Sequence, residues 1–324
     1  MLADRLLPGD EVRVIAPSTS MALVKGKQIE LARERLEALG FRVTFGEHVH
    51  GHNEFFSTSI DDRLEDLHAA FQDPDVKGIL AATGGYAANQ LLKYIDYDLI
   101  KRNPKVFCGH HDITALTAAI YNKTGLMTYY GPMFSSFGIK YGYDYLLSSF
   151  LEAITNDAPY ELTPSPTWSD EPWYLEEGER TLGKQDGYLI IHEGEASGRL
   201  IGGNLSTLNL LQGTEYMPSL EDSILFIEED EESHALSFDR HLQSILQLPD
   251  AGGIKAILIG RFQENSQVTE TGLKKIIDAK AELNGIPVIA NVNFGSTQPI
   301  ATLPVGAKAV ITTEENQVQI MIEP

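Results

Sequence analysis

The chain has 324 residues, 43% apolar and 22% charged, which is ordinary for a folded protein and long enough that two domains are expected. Its formal net charge of -21 at pH 7 excludes the basic face that a nucleic-acid or anionic-membrane partner needs, but it identifies no substrate. Cys108 is the only cysteine, so there is no intramolecular disulfide and no cysteine-based metal site.

Residues 1–8 lack a basic start followed by an apolar stretch, so no secretory signal is expected. No apolar run approaches the roughly 20 residues needed to span a bilayer, and a cytoplasmic location is the default expectation. The first half then alternates strand and helix patterns. A β-branched run at 11–16 ends at Pro17, a helical period runs from Lys27 to Leu39, and Phe41–Phe45 alternates like a strand. A helix over 59–71 is followed by a strand at 76–82 that runs into Thr83-Gly84-Gly85-Tyr86. A helix over 88–94, a strand at 106–108 and a helix over 112–123 complete the pattern. This alternation predicts an open, mainly parallel sheet with helices on both faces, whose ligands sit at the carboxyl ends of the strands.

Residues 156–180 are rich in Pro and Ser and are expected to link an N-terminal domain (1–155) to a C-terminal one (181–324). The second half predicts strands at 223–227, 254–259, 287–290, 308–312 and 317–322, with helices over 238–248 and 271–283.

The run Lys105–Leu116 carries the most information. A buried-type strand, a Gly turn and an Asp-initiated helix place one residue at a sharp strand-to-helix corner, as in the nucleophile elbow of serine hydrolases. The residue at that apex is His111, where an elbow carries Ser or Cys. Gly84-Gly85 follows another strand and reads as a tight turn or as an anion hole built from main-chain N–H groups. The histidines show no metal-ligand spacing, since neighbours such as His110 and His111 rarely share an ion; His48, His50 and His52 are expected on an exposed strand end. No metal and no cofactor are expected. The acidic cluster Glu228–Glu232 reads mostly as a solvated loop, except that Glu228 directly follows an apolar strand and should stand at its end. Trp168 and Trp173 are packing residues between domains or an aromatic platform over a cleft.

Together, several short motifs resemble the LD-carboxypeptidase family of serine peptidases (the S66 group), in particular its microcin C immunity branch. They include Gly84-Gly-Tyr86, the segment from Gly109 through Asp112-Ile-Thr-Ala-Leu116, Tyr130-Gly-Pro132, Gly202-Gly-Asn-Leu205, Leu225-Phe-Ile-Glu228 and Phe294-Gly-x-Thr-x-Pro299. The resemblance spans nearly the whole chain. It implies an amidotransferase-like α/β domain followed by a smaller β-rich domain, with the site between them, commonly as a homodimer. It also implies a Ser-His-Glu triad that cleaves an amide beside a free carboxylate. The substrate would be an aspartyl- or glutamyl-nucleotide or, in the other branch, a murein tetrapeptide; a non-catalytic binding protein for such ligands is the alternative. Carried over residue by residue, the nucleophile falls at His111, the acid at Glu228 and the base at Ser296, so nucleophile and base types stand in exchanged places. The oxyanion donors fall at the N–H groups of Gly85 and Asp112. Trp173, with Trp168 close behind, would stack on a nucleobase. Hydrolysis by the chain as it stands is expected to be strongly impaired, although a direct contact between the exchanged Ser and His is expected to survive.

Overall fold

The computed structural model describes residues 1–172, 182–315 and 317–324. In its first half β1 (Glu11–Ile15), α1 (Gly26–Ala38), β2 (Arg42–Phe45), α2 (Ile60–Gln72), β3 (Val76–Ala81), α3 (Tyr97–Arg102), β4 (Val106–Gly109), α4 (Thr114–Thr124) and β5 (Thr128–Tyr130) follow in turn, and α5 (Tyr143–Thr155) closes the stretch. The second half holds β6 (Tyr160–Glu161), β7 (Thr167–Trp168), β8 (Gly183–Lys184), β9 (Leu189–His192), β10 (Glu195–Asn204), α6 (Leu205–Asn209), β11 (Ser223–Glu228), α7 (Ala235–Leu246), β12 (Ile254–Gly260), α8 (Glu270–Asp278) and β13 (Val288–Val292). It ends in β14 (Leu303–Val305), β15 (Lys308–Glu314) and β16 (Gln317–Glu323).

Two sheets organise these elements. The first has the order β2-β1-β3-β4-β5-β14; its first five strands are parallel and β14 joins the edge antiparallel. The second has the order β6-β16-β15-β10-β11-β12-β13-β9, parallel from β10 to β13 and antiparallel on both flanks. The expected parallel sheet flanked by helices, followed by a β-rich unit, is therefore present. The end strands are shared: Leu303–Val305 pair with β5 of the first sheet, and Tyr160–Glu161 pair with β16 of the second.

Local chemistry explains the helices that frame the site. Ser59 caps α2 by accepting the Asp62 N–H, Asp61 and Asp62 face the positive end of its dipole, and Leu64, Leu67, Ala70 and Phe71 are buried. α4 buries nearly every side chain from Thr114 to Ile120, as expected of a helix covered all round. It packs on β4 and β5 and also touches β10, so its N-terminus stands where the two sheets meet.

Two expectations are corrected. Residues 88–94 do not form a helix; a short 3-10 turn covers Ala88–Leu91, and the helix begins at Tyr97 because Asp96 caps it, accepting the Leu99 N–H at 2.8 Å. His48, His50 and His52 are not on a strand end, because β2 stops at Phe45 and turns follow.

Candidate active site

β4 ends at Gly109 and a 3-10 turn, His111–Ile113, leads into α4. His111 sits at the apex with φ 58°, a left-handed conformation that costs a non-glycine residue on the order of 1–2 kcal/mol. Gly84 makes room for it: a Cβ there would lie 3.2 Å from both Cβ and Nδ1 of His111. Tyr86 meets the imidazole edge-on, with ring centroids 6.2 Å apart.

β11 ends at Glu228, which is buried. Its Oε1 accepts from Tyr130 Oη at 2.7 Å and from Asn204 Nδ2 at 3.0 Å, so the carboxylate is tied to β5 and β10 together. Its Oε2 accepts from Ser296 Oγ at 3.1 Å. Gly295 allows that approach, because at its φ of 102° a Cβ would fall 2.8 Å from the Glu228 side chain. Burial raises the Glu228 pKa, opposed by the charge of His111 and by the Tyr130 and Asn204 donors.

The structure thus brings the positions 111, 228 and 296 into one place, but not as the expected relay. His111 Nε2 lies 2.8 Å from Asp230 Oδ2, while His111 Nδ1 is buried and has no hydrogen-bond partner among the described residues. No hydrogen bond joins His111 to Ser296 among the described residues, so the expected Ser–His contact is not formed. Burial disfavours the charged imidazole, but the Asp230 hydrogen bond and the Glu228 and Asp230 charges outweigh it and raise its pKa to about 9. The shift favours the protonated imidazole and makes His111 a poor general base at neutral pH. Its neighbour His110 is the reverse case. Burial and the His111 charge lower it to about 4, against the pull of the Gly131 carbonyl 3.0 Å from Nδ1.

Asp230 is the residue that sequence reading missed, and the solvated-loop expectation fails for two members of its cluster. Glu229 is buried, with Oε1 2.8 Å from His241 Nδ1 and Oε2 accepting from Ser233 Oγ at 3.0 Å. Asp230 is half-buried on His111, and only Glu232 is fully exposed. The strand-end alternation of side chains beyond Glu228 is the one signal that could have separated them.

His111, Asp230, Glu231, Glu232 and Ser296 line a cavity of about 490 Å³ together with Thr19, Lys25, Gln28, Tyr86, Ser135, Gln263 and Gln298. Lys25 is its one Lys or Arg among the described residues. The main-chain N–H groups of Gly85 and Asp112 make no hydrogen bond among the described residues, although neither residue lines the cavity. The Asp112 carboxylate instead ties two turns together, accepting from the Ala88 N–H at 2.8 Å and from Ser18 Oγ. Cys108 is buried in β4. Trp168 does not line the cavity; its ring lies 4.6 Å from the Arg261 guanidinium. Trp173 falls outside the described residues. Among the described residues, Glu47, His48 and Glu65 place ligand-type atoms within 4.8 Å of one another, but none of them lines this cavity. No helix of the described residues is long and apolar enough to cross a membrane.

A strand-to-helix apex facing a buried strand-end glutamate across two sheets is an arrangement shared with hydrolases, and the family matches place the chain among the carboxypeptidases. The chain matches the LD-carboxypeptidase N-terminal domain over residues 12–131 and the LD-carboxypeptidase C-terminal domain over residues 197–311, and it belongs to that peptidase S66 family. It is 51% identical to Putative carboxypeptidase YocD of Bacillus subtilis (strain 168), over 100% of this chain and 99% of that one. A solved MccF-like protein from Bacillus anthracis str. Ames superposes with a TM-score of 0.98 at 50% identity, covering 99% of each chain. MccF solved in complex with glutamyl sulfamoyl guanosine superposes with a TM-score of 0.89 at 32% identity, covering 100% of this chain and 98% of that one.

Proposed function

We propose that this chain binds amides of the acidic aminoacyl-nucleotide type and that its site is that of a serine carboxypeptidase with the nucleophile and base in exchanged positions, leaving hydrolysis at trace levels. The observation that carries the reading is the pairing pattern: Ser296 hydrogen-bonds Glu228 at 3.1 Å, while His111 at the apex is held by Asp230 at 2.8 Å. Ser296 therefore occupies the place on Glu228 that an orienting base would take. The group at the apex has no nucleophilic hydroxyl, and its paired imidazole is biased toward the protonated form.

With Ser at 111 and His at 296, Glu228 would orient the imidazole, which would take the hydroxyl proton as the Ser oxygen adds to the carbonyl. The same proton would then go to the leaving amine, and water would release the acyl group. The N–H groups of Asp112 and Gly85, next to the apex and to Gly84 in the chain, would serve a carbonyl attacked from position 111, so attack from Ser296 would leave the developing oxyanion without them. That loss is worth on the order of 10²–10³ in rate. The relative solved with glutamyl sulfamoyl guanosine supports the ligand class.

The test is turnover of aspartyl sulfamoyl adenosine and of a murein tetrapeptide by the chain, by His111→Ser, by Ser296→His and by the double variant. A gain of at least about 10³ in kcat/KM confined to the double variant is expected. Equal turnover by the unaltered chain and the double variant would overturn the reading; cleavage of the tetrapeptide alone would move the substrate to the murein branch.

A further inference from the structure

Gln298 is a polar side chain that the triad positions do not use. It lies two residues beyond Ser296, is 5% exposed and lines the same cavity. Its backbone is pinned in both directions: its N–H donates to the Ser169 carbonyl and its carbonyl accepts from the Ser169 N–H, each at 2.8 Å. The side chain therefore extends from a fixed point. Yet Oε1 is buried and has no hydrogen-bond partner among the described residues. A buried acceptor left unpaired destabilises a fold, and an apolar residue of the same shape would avoid the penalty. Oε1 is closed off in this conformation, and a turn of the terminal amide would present it to the cavity that Gln298 lines, where a donor can arrive with the ligand.

The surroundings fix the kind of donor. Asp230, Glu231 and Glu232 outnumber the cationic groups on the cavity wall, Lys25 and the Asp230-paired His111, leaving a net negative potential that favours a cationic N–H group over an anionic one. Among acidic aminoacyl amides, the group that meets this description is the free α-ammonium.

We propose that Gln298 is a specificity-determining residue whose Oε1 accepts a hydrogen bond from the free α-ammonium of an aminoacyl-amide ligand. The inference rests on the ligand class proposed above and adds the contact that selects for an unblocked amino group. A hydrogen bond between a neutral acceptor and a charged donor is worth roughly tenfold to a hundredfold in affinity.

The experiment compares aspartyl sulfamoyl adenosine with its desamino counterpart, succinyl sulfamoyl adenosine, by calorimetry on the full chain and on two variants. The unaltered chain should bind the aspartyl probe at least about tenfold more tightly. In Gln298→Met, which keeps length and removes the polar group, that preference should vanish while the midpoint of thermal unfolding stays level or rises. In Gln298→Glu, which can only accept when ionised, the preference should be kept or enlarged. Equal affinity of the unaltered chain for both probes would overturn the role of Gln298 and leave the ligand class standing. A lower unfolding midpoint in Gln298→Met with an undiminished preference would also overturn it, marking the side chain as structural. Failure of both probes to bind the unaltered chain would overturn the ligand class and this inference together.

Discussion

His111 and Asp230, 119 positions apart, form the ion pair that defines the site, with Nε2 and Oδ2 separated by 2.8 Å. The imidazole at the end of β4 is thereby tied to the segment that follows β11, and among the described residues it makes no hydrogen bond to Ser296.

That pair makes stability pH-dependent. The folded-state pKa of His111, about 9, lies above the ordinary value near 6.5, so the pair's contribution is complete below about pH 6.5 and is lost as pH rises through 9. The full shift corresponds to roughly 3–3.5 kcal/mol. Asp230→Asn should flatten this loss and bring the His111 titration back toward the ordinary range. Denaturant unfolding at pH 6 and pH 9.5, with NMR titration of the imidazole, measures both; an unchanged slope in the variant would remove Asp230 as the cause.

Tyr130→Phe should destabilise the chain by about 1.5–3 kcal/mol, because it takes a donor from a buried carboxylate and leaves Oε1 of Glu228 with Asn204 alone. The Glu228 pKa, already raised by burial, should rise further. The penalty should therefore shrink toward low pH, where Glu228 is protonated in both proteins. Chemical unfolding at pH 7.5 and pH 4.5 checks the sign.

Gly295→Ala combines a φ of 102° with a Cβ placed 2.8 Å from the Glu228 side chain, so strain and displacement act together. A loss of about 2–3 kcal/mol is expected, larger than for an exposed glycine turn. In the double variant with Ser at 111 and His at 296, the same change should also depress kcat. Thermal unfolding and turnover separate the two effects.

Lys25 stands at the start of α1 and lines a cavity otherwise supplied with carboxylates. Lys25→Gln should lower affinity for aspartyl sulfamoyl adenosine by about twofold to fivefold, the value of an exposed ion pair. Affinity for the uncharged asparaginyl analogue should not change. Parallel calorimetry with both ligands decides it, and equal losses would point to a steric cause.

Much of this was legible along the chain. The strand–Gly–helix corner at 105–116, the buried strand ending at Glu228 and the loop bearing Ser296 each carry a local signature, because buried runs, turn residues and helix starts depend on near neighbours. The family motifs link those three segments along the chain. β10 was passed over, since Gly198, Gly202 and Gly203 break its apolar alternation and only its pairing with β11 and β15 makes it a central strand.

The sequence by itself determined the alternation of elements, the family resemblance and the presence of His at 111 and Ser at 296. Only the tertiary structure decided which partners those two side chains meet. Hydrogen-bond partners of a buried imidazole are chosen by whichever acceptor the fold brings within 3 Å, and that acceptor, Asp230, sits in a segment whose local pattern reads as solvated loop. The same holds for the orphaned acceptor of Gln298, which exists only because packing buries it without a donor.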